Sequence, residues 1–343
     1  MRTLFLLLML APTALAADAE KLPPNAKVAS LAVQPASIEL ANPYAYGQLL
    51  VTVKLDNGDT VDATRIATID APKVASVSPA GLVRPIADGA GELSISLGGQ
   101  TAKVAVKVSG QKSAKAVSFV TDVQPVLSKL GCNQGTCHGS AQGKNGFKLS
   151  LRGYDSIFDH RSLTDDLEGR RFNRAAPDKS LMLLKPAGAV PHAGGVVWQP
   201  GDPNYELVKQ WIAEGVALDY TAPRVTSIDV LPLNPTIQAI GGKQQFAVIA
   251  TYADGRKRDV SAECFIESSN TEVATVDKTG LLTSLRRGES TMLVRYEGSY
   301  AASTVVVMGD RSEYAWKQQP VLNHIDSLVD EKLKKMKIQA SEL

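Results

Sequence analysis

The stretch VATVDKTGL at residues 273–281 has a counterpart in VASVSPAGL at residues 74–82, offset by 199 positions. The match extends outward to YADGR at 252–256 and LDNGD at 55–59, where the offset is 197. A register this constant over about 85 residues is typical of a duplicated module. The chain is therefore expected to contain the same fold twice.

Apolar residues alternate with polar or small residues inside both copies. Such a period of two predicts strands with one buried face. Asn57-Gly58 and Asp254-Gly255 are hairpin-turn dipeptides, because glycine accepts the positive φ that such turns require. Roughly seven short strands with regular turn signals predict an antiparallel sandwich in each copy. The alternating residues are Leu49, Val51, Val53 and Leu55 in the first copy and Phe246, Val248, Ala250 and Tyr252 in the second.

The second copy resembles the bacterial immunoglobulin-like domain of group 2 through the string TEVATVDxxGL at 271–281, and the first copy resembles it more loosely. The resemblance implies all-β immunoglobulin-like sandwiches at 27–110 and 223–309. It also implies that a cell-surface or carbohydrate partner would bind through these domains.

The first 16 residues have the parts of a secretory signal peptide: a basic Arg2, an apolar run over 4–10 and a small-residue cleavage site at 14–16. No later apolar stretch approaches the ~20 residues that span a bilayer. The formal net charge is +2 with both signs interspersed, which indicates no nucleic-acid partner. We therefore expect an exported protein without a transmembrane segment, in the periplasm or at the cell surface.

The run GCNQGTCHG at 131–139 places two thiols, Cys132 and Cys137, a short loop apart, with His138 directly after the second. This arrangement suits one covalent haem c, since each thiol can bond a vinyl group and the histidine can bind the iron as proximal ligand. Four residues separate the cysteines where attachment motifs usually have two, so the loop must bulge, and Gly135 is expected to permit this. Two alternatives remain open: a Cys132–Cys137 disulfide in an oxidising compartment, and a zinc site, for which a second ligand pair is missing.

A haem iron also needs a distal ligand. His192, on a loop bounded by proline and glycine, is the first candidate, and Met182, in an apolar run, is the alternative. Arg152, Lys185 and Trp198 are candidate hydrogen-bond donors to the haem propionates, because such groups bind carboxylates.

The segment 113–222 has a different character, with predicted helices over 120–130 and from Pro203, and a glycine- and proline-rich stretch between them. In the second helix Leu207, Val208, Trp211 and Ile212 are expected to form one apolar stripe. A flat cofactor is expected to serve as the core of this segment. Four strings within 119–216 look like the cytochrome c domain of large planctomycete-type exported proteins. In that family two long domains follow the second immunoglobulin-like domain, so the resemblance implies a chain that lacks them. An amphipathic helix within 310–343 is then either docked on the second sandwich or the start of a missing domain. The four strings are FVTDVQPVLSKLGCNQGTCHG, GFKLSLRGYD, SLMLLKPAGAVPHAGG and LVKQWIAEGV.

The predicted fold class is multidomain: two all-β immunoglobulin-like sandwiches flanking a mainly α cytochrome c-like domain. The predicted function is electron transfer through one covalent haem to a redox partner protein, rather than enzymatic catalysis, since the sequence carries no hydrolase or nucleotide-binding motif. The alternative is a cell-surface interaction or adhesion array with a structural disulfide and no haem.

Overall fold

The computed structural model describes residues 20–112, 116–167, 169–309, 311 and 313–341. The predicted signal peptide at 1–16 lies outside these residues. The described chain is nearly all β, with six sheets and a helical content of 17%.

The first immunoglobulin-like domain contains ten short strands in three small sheets. The sheet orders are β1-β4-β5, β2-β10-β9-β6 and β3-β8-β7, and all neighbours are antiparallel except β2 and β10. The strands are β1 (Val28–Gln34), β2 (Ser37–Leu40), β3 (Gly47–Gln48), β4 (Leu50–Leu55), β5 (Thr60–Asp62), β6 (Thr68–Asp70), β7 (Ala75–Val77), β8 (Leu82–Pro85), β9 (Gly89–Leu97) and β10 (Gln100–Val108).

The second immunoglobulin-like domain repeats this architecture strand for strand. Its sheets are β11-β14-β15, β12-β20-β19-β16 and β13-β18-β17. The duplication predicted from the offset is therefore present in the fold. The strands are β11 (Val225–Leu231), β12 (Thr236–Ile237), β13 (Lys243–Gln245), β14 (Ala247–Tyr252), β15 (Lys257–Asp259), β16 (Phe265–Ser268), β17 (Ala274–Val276), β18 (Leu281–Ser284), β19 (Gly288–Tyr296) and β20 (Ser299–Val307).

Burial of the alternating residues explains why both copies fold this way. In β4 the inward Val51, Val53 and Leu55 are buried, and in β14 Val248, Ala250 and Tyr252 are buried in the same pattern. Each domain has its own apolar cluster built from these strands. The period of two in the sequence thus becomes the inner face of a sandwich.

The prediction of a mainly α cytochrome c-like domain at 113–222 is wrong. The described part of this segment holds only short helices, separated by long irregular stretches such as 130–150 and 185–202. Glycine and proline are frequent in these stretches, and both interrupt helices. The helical elements are a π-turn (Phe119–Val123), α1 (Gln124–Lys129), a 3-10 turn (Leu151–Gly153), α2 (Ser156–Thr164), a second 3-10 turn (Pro177–Lys179), α3 (Leu181–Leu184) and α4 (Pro203–Ala213).

The middle segment has an apolar core of its own side chains. Phe119 and Trp211 are fully buried, with ring centroids 5.2 Å apart, and Phe172 and His160 pack edge-on against this pair. The helix α4 contributes the predicted stripe Leu207, Val208, Trp211 and Ile212, all of them buried. Side chains therefore fill the place that we expected a cofactor to fill.

The two immunoglobulin-like domains contact each other through a pair of equivalent hydrogen bonds. The backbone N–H of Gln48 donates to Asp259 Oδ2, and that of Gln245 donates to Asp62 Oδ2, both at 2.6 Å. Gln245 and Asp259 each lie 197 residues after Gln48 and Asp62. The contact is therefore reciprocal, as in a two-fold symmetric dimer formed within one chain.

Polar contacts also join the middle segment to the second domain. Lys129 Nζ donates to the carbonyl oxygens of Cys264 and Lys278, at 2.6 and 2.8 Å. Arg258 donates to the carbonyl of Thr121 at 2.7 Å and to Asp122 at 2.8 Å. The three parts of the chain thus form one connected structure.

The C-terminal helix α5 (His324–Lys335) docks on the second domain only at its end. Met336 is buried against Val306 and Met308, and Arg287 donates to its carbonyl at 2.6 Å. Of the apolar residues along this helix, Ile325, Leu328 and Val329 are exposed and Leu333 is half-buried.

Candidate functional site

The cysteine-histidine loop follows α1 and is shaped by its own backbone hydrogen bonds. The N–H of Cys132 donates to Leu127 at 3.0 Å, which joins the loop to the end of α1. The N–H of His138 donates to the carbonyl oxygen of Cys132 at 3.0 Å, and the N–H of Leu149 donates to the carbonyl oxygen of His138 at 2.8 Å. These bonds bring the first cysteine close to the histidine although five residues lie between them.

Gly135 is not the residue that permits the bulge. A Cβ there would meet only Leu151 Cδ1, at an ordinary 3.8 Å. Gly131 has a φ of +83°, which favours glycine, and a Cβ on Gly139 would lie 2.0 Å from the carbonyl oxygen of Asn133. The loop therefore requires glycine at its two ends, where the chain turns out of α1 and where two backbone segments approach.

Cys132 and Cys137 are both free thiols in the structure. Burial raises the pKa of the Cys132 thiol to about 12, and the neighbouring Cys137 acts in the same direction. Cys132 also packs against the apolar core of the middle segment, and Cys132 and Cys137 are both half-buried. The folded chain therefore holds Cys132 as a protonated thiol at neutral pH.

His138 has the geometry of a metal-ligating histidine. Its Nδ1 lies 3.0 Å from the carbonyl oxygen of Phe147, which can only accept, so Nδ1 carries the proton and Nε2 keeps a free lone pair. Burial lowers the pKa of His138, and the positive charges of His192, Arg171 and Lys185 act in the same direction. The ring is therefore neutral at neutral pH, the form that binds a metal.

His192 repeats this arrangement on the glycine-rich loop. Its Nδ1 lies 2.9 Å from the carbonyl oxygen of Gly195, which leaves its Nε2 free as well. The charge of His192 contributes to the lowering of the pKa of His138. The two histidines are 54 positions apart in the sequence, and each has its Nδ1 on a backbone carbonyl.

Arg171 was not among the residues singled out from the sequence, yet it belongs to this site. Its guanidinium lies 4.2 Å from the ring centroid of Phe147, the residue that orients His138. Its carbonyl accepts the N–H of Met182 at 3.1 Å, which places Met182 beside the site but packed on the core of the segment. A basic residue in an irregular stretch has no sequence signal that would separate it from surface arginines.

Arg152 and Trp198 take other positions. The Arg152 side chain faces the second immunoglobulin-like domain, where its charge acts on Arg295. Trp198 is buried, and its indole N–H donates to the carbonyl of Leu183 at 3.3 Å. The structure therefore brings Cys132, Cys137, His138 and His192 to one region and directs these two side chains elsewhere.

A cleft of about 1240 Å³ lies between the three parts of the chain. Tyr44 and Tyr46 line it from the first domain, Asp219 from the middle segment, and Asp229 and Arg256 from the second domain. This cleft exists because the two immunoglobulin-like domains are paired.

Within 20–112, 116–167, 169–309, 311 and 313–341, no three His, Cys, Asp or Glu side chains lie close enough to share one metal ion. None of the helices in that part of the chain has the length and apolar character needed to cross a bilayer.

Two family models match the chain, both in the regions with immunoglobulin-like folds. Residues 65–110 match a Bacterial Ig-like domain and residues 224–294 match a Bacterial Ig-like domain (group 2). No match to a cytochrome c family model supports the resemblance of the middle segment to a cytochrome c domain. The chain thus contains two bacterial immunoglobulin-like domains, which suggest an extracellular or surface protein.

The chain is also similar to individual proteins. Ice-binding protein 1 of Shewanella frigidimarina is 37% identical over 73 residues, which are 21% of this chain and 8% of that protein. Domains 5–6 of the S-layer protein SbsC cover 84% of this chain and 100% of theirs, with 14% identity and a TM-score of 0.32. Domains 1–6 of SbsC give 15% identity and a TM-score of 0.24, over 86% of this chain and 30% of theirs. The chain therefore spans only a small part of the curated relative.

Proposed function

We propose that this chain is a surface-interaction protein of the cell surface or periplasm, in which two paired immunoglobulin-like domains form a scaffold with binding faces. The reciprocal hydrogen bonds between Gln48 and Asp259 and between Gln245 and Asp62 support this proposal. They hold the two domains in one arrangement, while outward residues of both four-stranded sheets, such as Thr101 and Tyr300, are exposed. A rigid display of binding faces reduces the entropy lost on association.

The test is binding of the purified, fluorescently labelled chain to cell-envelope fractions of its own source. Saturable binding that unlabelled folded chain displaces, and that unfolded chain does not, is expected. Background binding that does not saturate would contradict the proposal. Treating the envelope with protease or with periodate then separates protein from glycan partners.

A second candidate function is binding of one covalent haem c by the cysteine-histidine loop. It is favoured by the free Nε2 atoms of His138 and His192, each with its Nδ1 bound to a backbone carbonyl. Cys132 and Cys137 would hold the porphyrin covalently, and His138 and His192 would be the iron ligands. The haem would supply one-electron redox chemistry. Within the chain, the Phe147 and Gly195 carbonyls orient the imidazoles, and the core of the middle segment shields Cys132 from water.

Because Cys132 is buried and protonated in the folded chain, attachment would have to precede folding of the loop. Co-expression with a haem-attachment system should therefore yield a coloured chain whose intact mass includes one haem. The double variant Cys132→Ser/Cys137→Ser should be colourless. The variant His192→Ala should keep the added mass of one haem but change the visible absorption spectrum. A colourless chain with both thiols open to alkylation after unfolding would refute this candidate.

A further inference from the structure

Because the fold is duplicated, one exposed sheet face of the second domain can be compared with the same face of the first domain. In both domains three strands of the four-stranded sheet lie side by side with the same register: β6, β9 and β10 in the first, and β16, β19 and β20 in the second. Directly opposite residues on such strands share a face of the sheet. The outward rows of the two domains can therefore be compared position by position.

The outward row of the first domain is small and polar, whereas that of the second is aromatic and basic. Thr68, Ser96 and Thr101 form the row in the first domain. The equivalent row in the second domain consists of Phe265, Arg295 and Tyr300. We name this second row the aromatic-arginine row.

The adjacent outward row is more apolar in the second domain, which has no basic residue there and keeps one carboxylate. Asp70, Ser94 and Lys103 of the first domain correspond to Glu267, Leu293 and Ala302 of the second. Since the first domain forms the same sheet with small polar and charged side chains here, the fold does not require the aromatic and apolar residues of the second.

The aromatic-arginine row is open to solvent at one end and rigid at the other. Tyr300 is 70% exposed, and Leu293 beside it is 50% exposed. At the other end the Arg295 guanidinium lies 4.3 Å from the ring centroid of Phe265. A guanidinium stacked on an aromatic ring is held in one orientation with its N–H groups directed outward.

A second positive charge lies at this end of the row. Arg152 of the middle segment lines the same shallow pocket as Phe265 and Arg295. Glu263 and Glu297 also line this pocket, and their carboxylates are paired with Arg258 and Arg224. Burial lowers the pKa of Arg295, the charge of Arg152 acts in the same direction, and Glu267 in the adjacent row opposes both. Among the ion pairs of the described residues, neither Arg152 nor Arg295 takes part. An anionic ligand would therefore relieve the repulsion between the two guanidinium groups.

The dimensions of the row favour a chain of sugar rings as its ligand, rather than another protein. Strands lie about 4.8 Å apart, so three side chains across three strands span roughly 10 Å, about the length of two sugar rings. A stable protein interface needs about 800 Å² on each partner, which is far more than this row provides. Exposed aromatic rings stack on the C–H faces of sugars, and a guanidinium binds a carboxylate through two parallel hydrogen bonds.

We propose that the aromatic-arginine row, together with Arg152, binds a polysaccharide that carries carboxylate groups. Tyr300 would stack on one sugar ring, and Arg295 and Arg152 would bind the carboxylate of the next. This inference rests on the proposed surface-binding function and gives it a partner class.

The test measures binding of polyuronate hexasaccharides to the full chain by calorimetry. The variants Tyr300→Thr, Arg295→Ser and Phe265→Thr introduce the residues that the first domain has at the same positions, so folding should be preserved, and far-UV circular dichroism and Tm check this. Each substitution is expected to weaken binding roughly tenfold. The control Lys103→Ala, at the equivalent face of the first domain, should leave binding unchanged.

Three results would overturn the inference. They are equal binding of a neutral glucan hexasaccharide, equally tight binding of polyglutamate, and unchanged polyuronate binding by all three folded variants. If the unaltered chain binds cell envelopes but not polyuronate, only this inference fails. If even the unaltered chain does not bind envelopes, the proposed function fails as well.

Discussion

Asp259 offers the sharpest test of how the two immunoglobulin-like domains are held together. Its carboxylate accepts the Gln48 N–H of the other domain at 2.6 Å, and the Ser261 N–H and hydroxyl of its own domain at 2.9 and 2.6 Å. Burial nevertheless raises the pKa of Asp259 from 3.8 to about 6, because it outweighs these hydrogen bonds. The perturbation is Asp259→Asn, which keeps the shape and one oxygen acceptor but cannot ionise.

The magnitude follows from linkage between protonation and folding. A carboxyl whose pKa is raised in the folded state stabilises that state fully below its unfolded pKa, near 4, and this contribution is lost as the pH rises through about 6. A shift of about two pKa units corresponds to about 2–3 kcal/mol. The free energy of unfolding of the unaltered chain should therefore fall by about this amount between pH 4 and 7.5, relative to that of Asp259→Asn.

The assay is urea unfolding followed by far-UV circular dichroism at several pH values, with the two chains compared at each. Other titrating groups contribute equally to both chains and cancel in the difference. The matched variant Asp62→Asn, at the equivalent position, loses the charge that pairs with Arg65 at 3.0 Å, so it should destabilise the chain at neutral pH. A difference between the unaltered chain and Asp259→Asn that is independent of pH, or that grows as the pH rises, would refute the reasoning.

Three further predictions concern the middle segment. Trp211→Ala should lower the free energy of unfolding by about 3–5 kcal/mol, because the indole is fully buried, and urea titration measures this. Gly139→Ala should disrupt the cysteine-histidine loop, since its Cβ would overlap the Asn133 carbonyl, whereas Gly135→Ala should fold normally. The alkylation rates of the thiols in the two folded variants measure this difference, and equal rates would contradict the prediction. Lys129→Met should destabilise the chain by about 1–3 kcal/mol, because two carbonyl oxygens of the second domain lose their hydrogen-bond donor. An unchanged Tm would contradict this prediction and show that water replaces the lysine as donor.

The immunoglobulin-like domains could be predicted because their sequence signals are local. The alternation at Val51, Val53, Val248 and Ala250 sets which side chains are buried, and the constant offset shows that the pattern occurs twice. The family matches in both regions agree with this prediction.

The middle segment was predicted less well, because little of its structure follows from local pattern. The stripe on α4 was correct, but the resemblance of short strings to a cytochrome led to a mainly α domain that the structure does not have. The glycine requirement was assigned to Gly135, although the close approach that demands glycine is between Gly139 and Asn133. Such an approach depends on the path of the whole loop and leaves no mark at the position itself.

The sequence by itself determined that the chain contains two copies of one β module and a cysteine-histidine loop between them, because strand period, turn dipeptides and motif spacing are properties of neighbouring residues. Only the tertiary structure decided that the copies pair through Gln48–Asp259 and Gln245–Asp62 and that His192 lies near His138. It also decided that Phe265, Arg295 and Tyr300 form one exposed row. These contacts join residues far apart in the chain, and their free energies depend on the burial and register that folding creates.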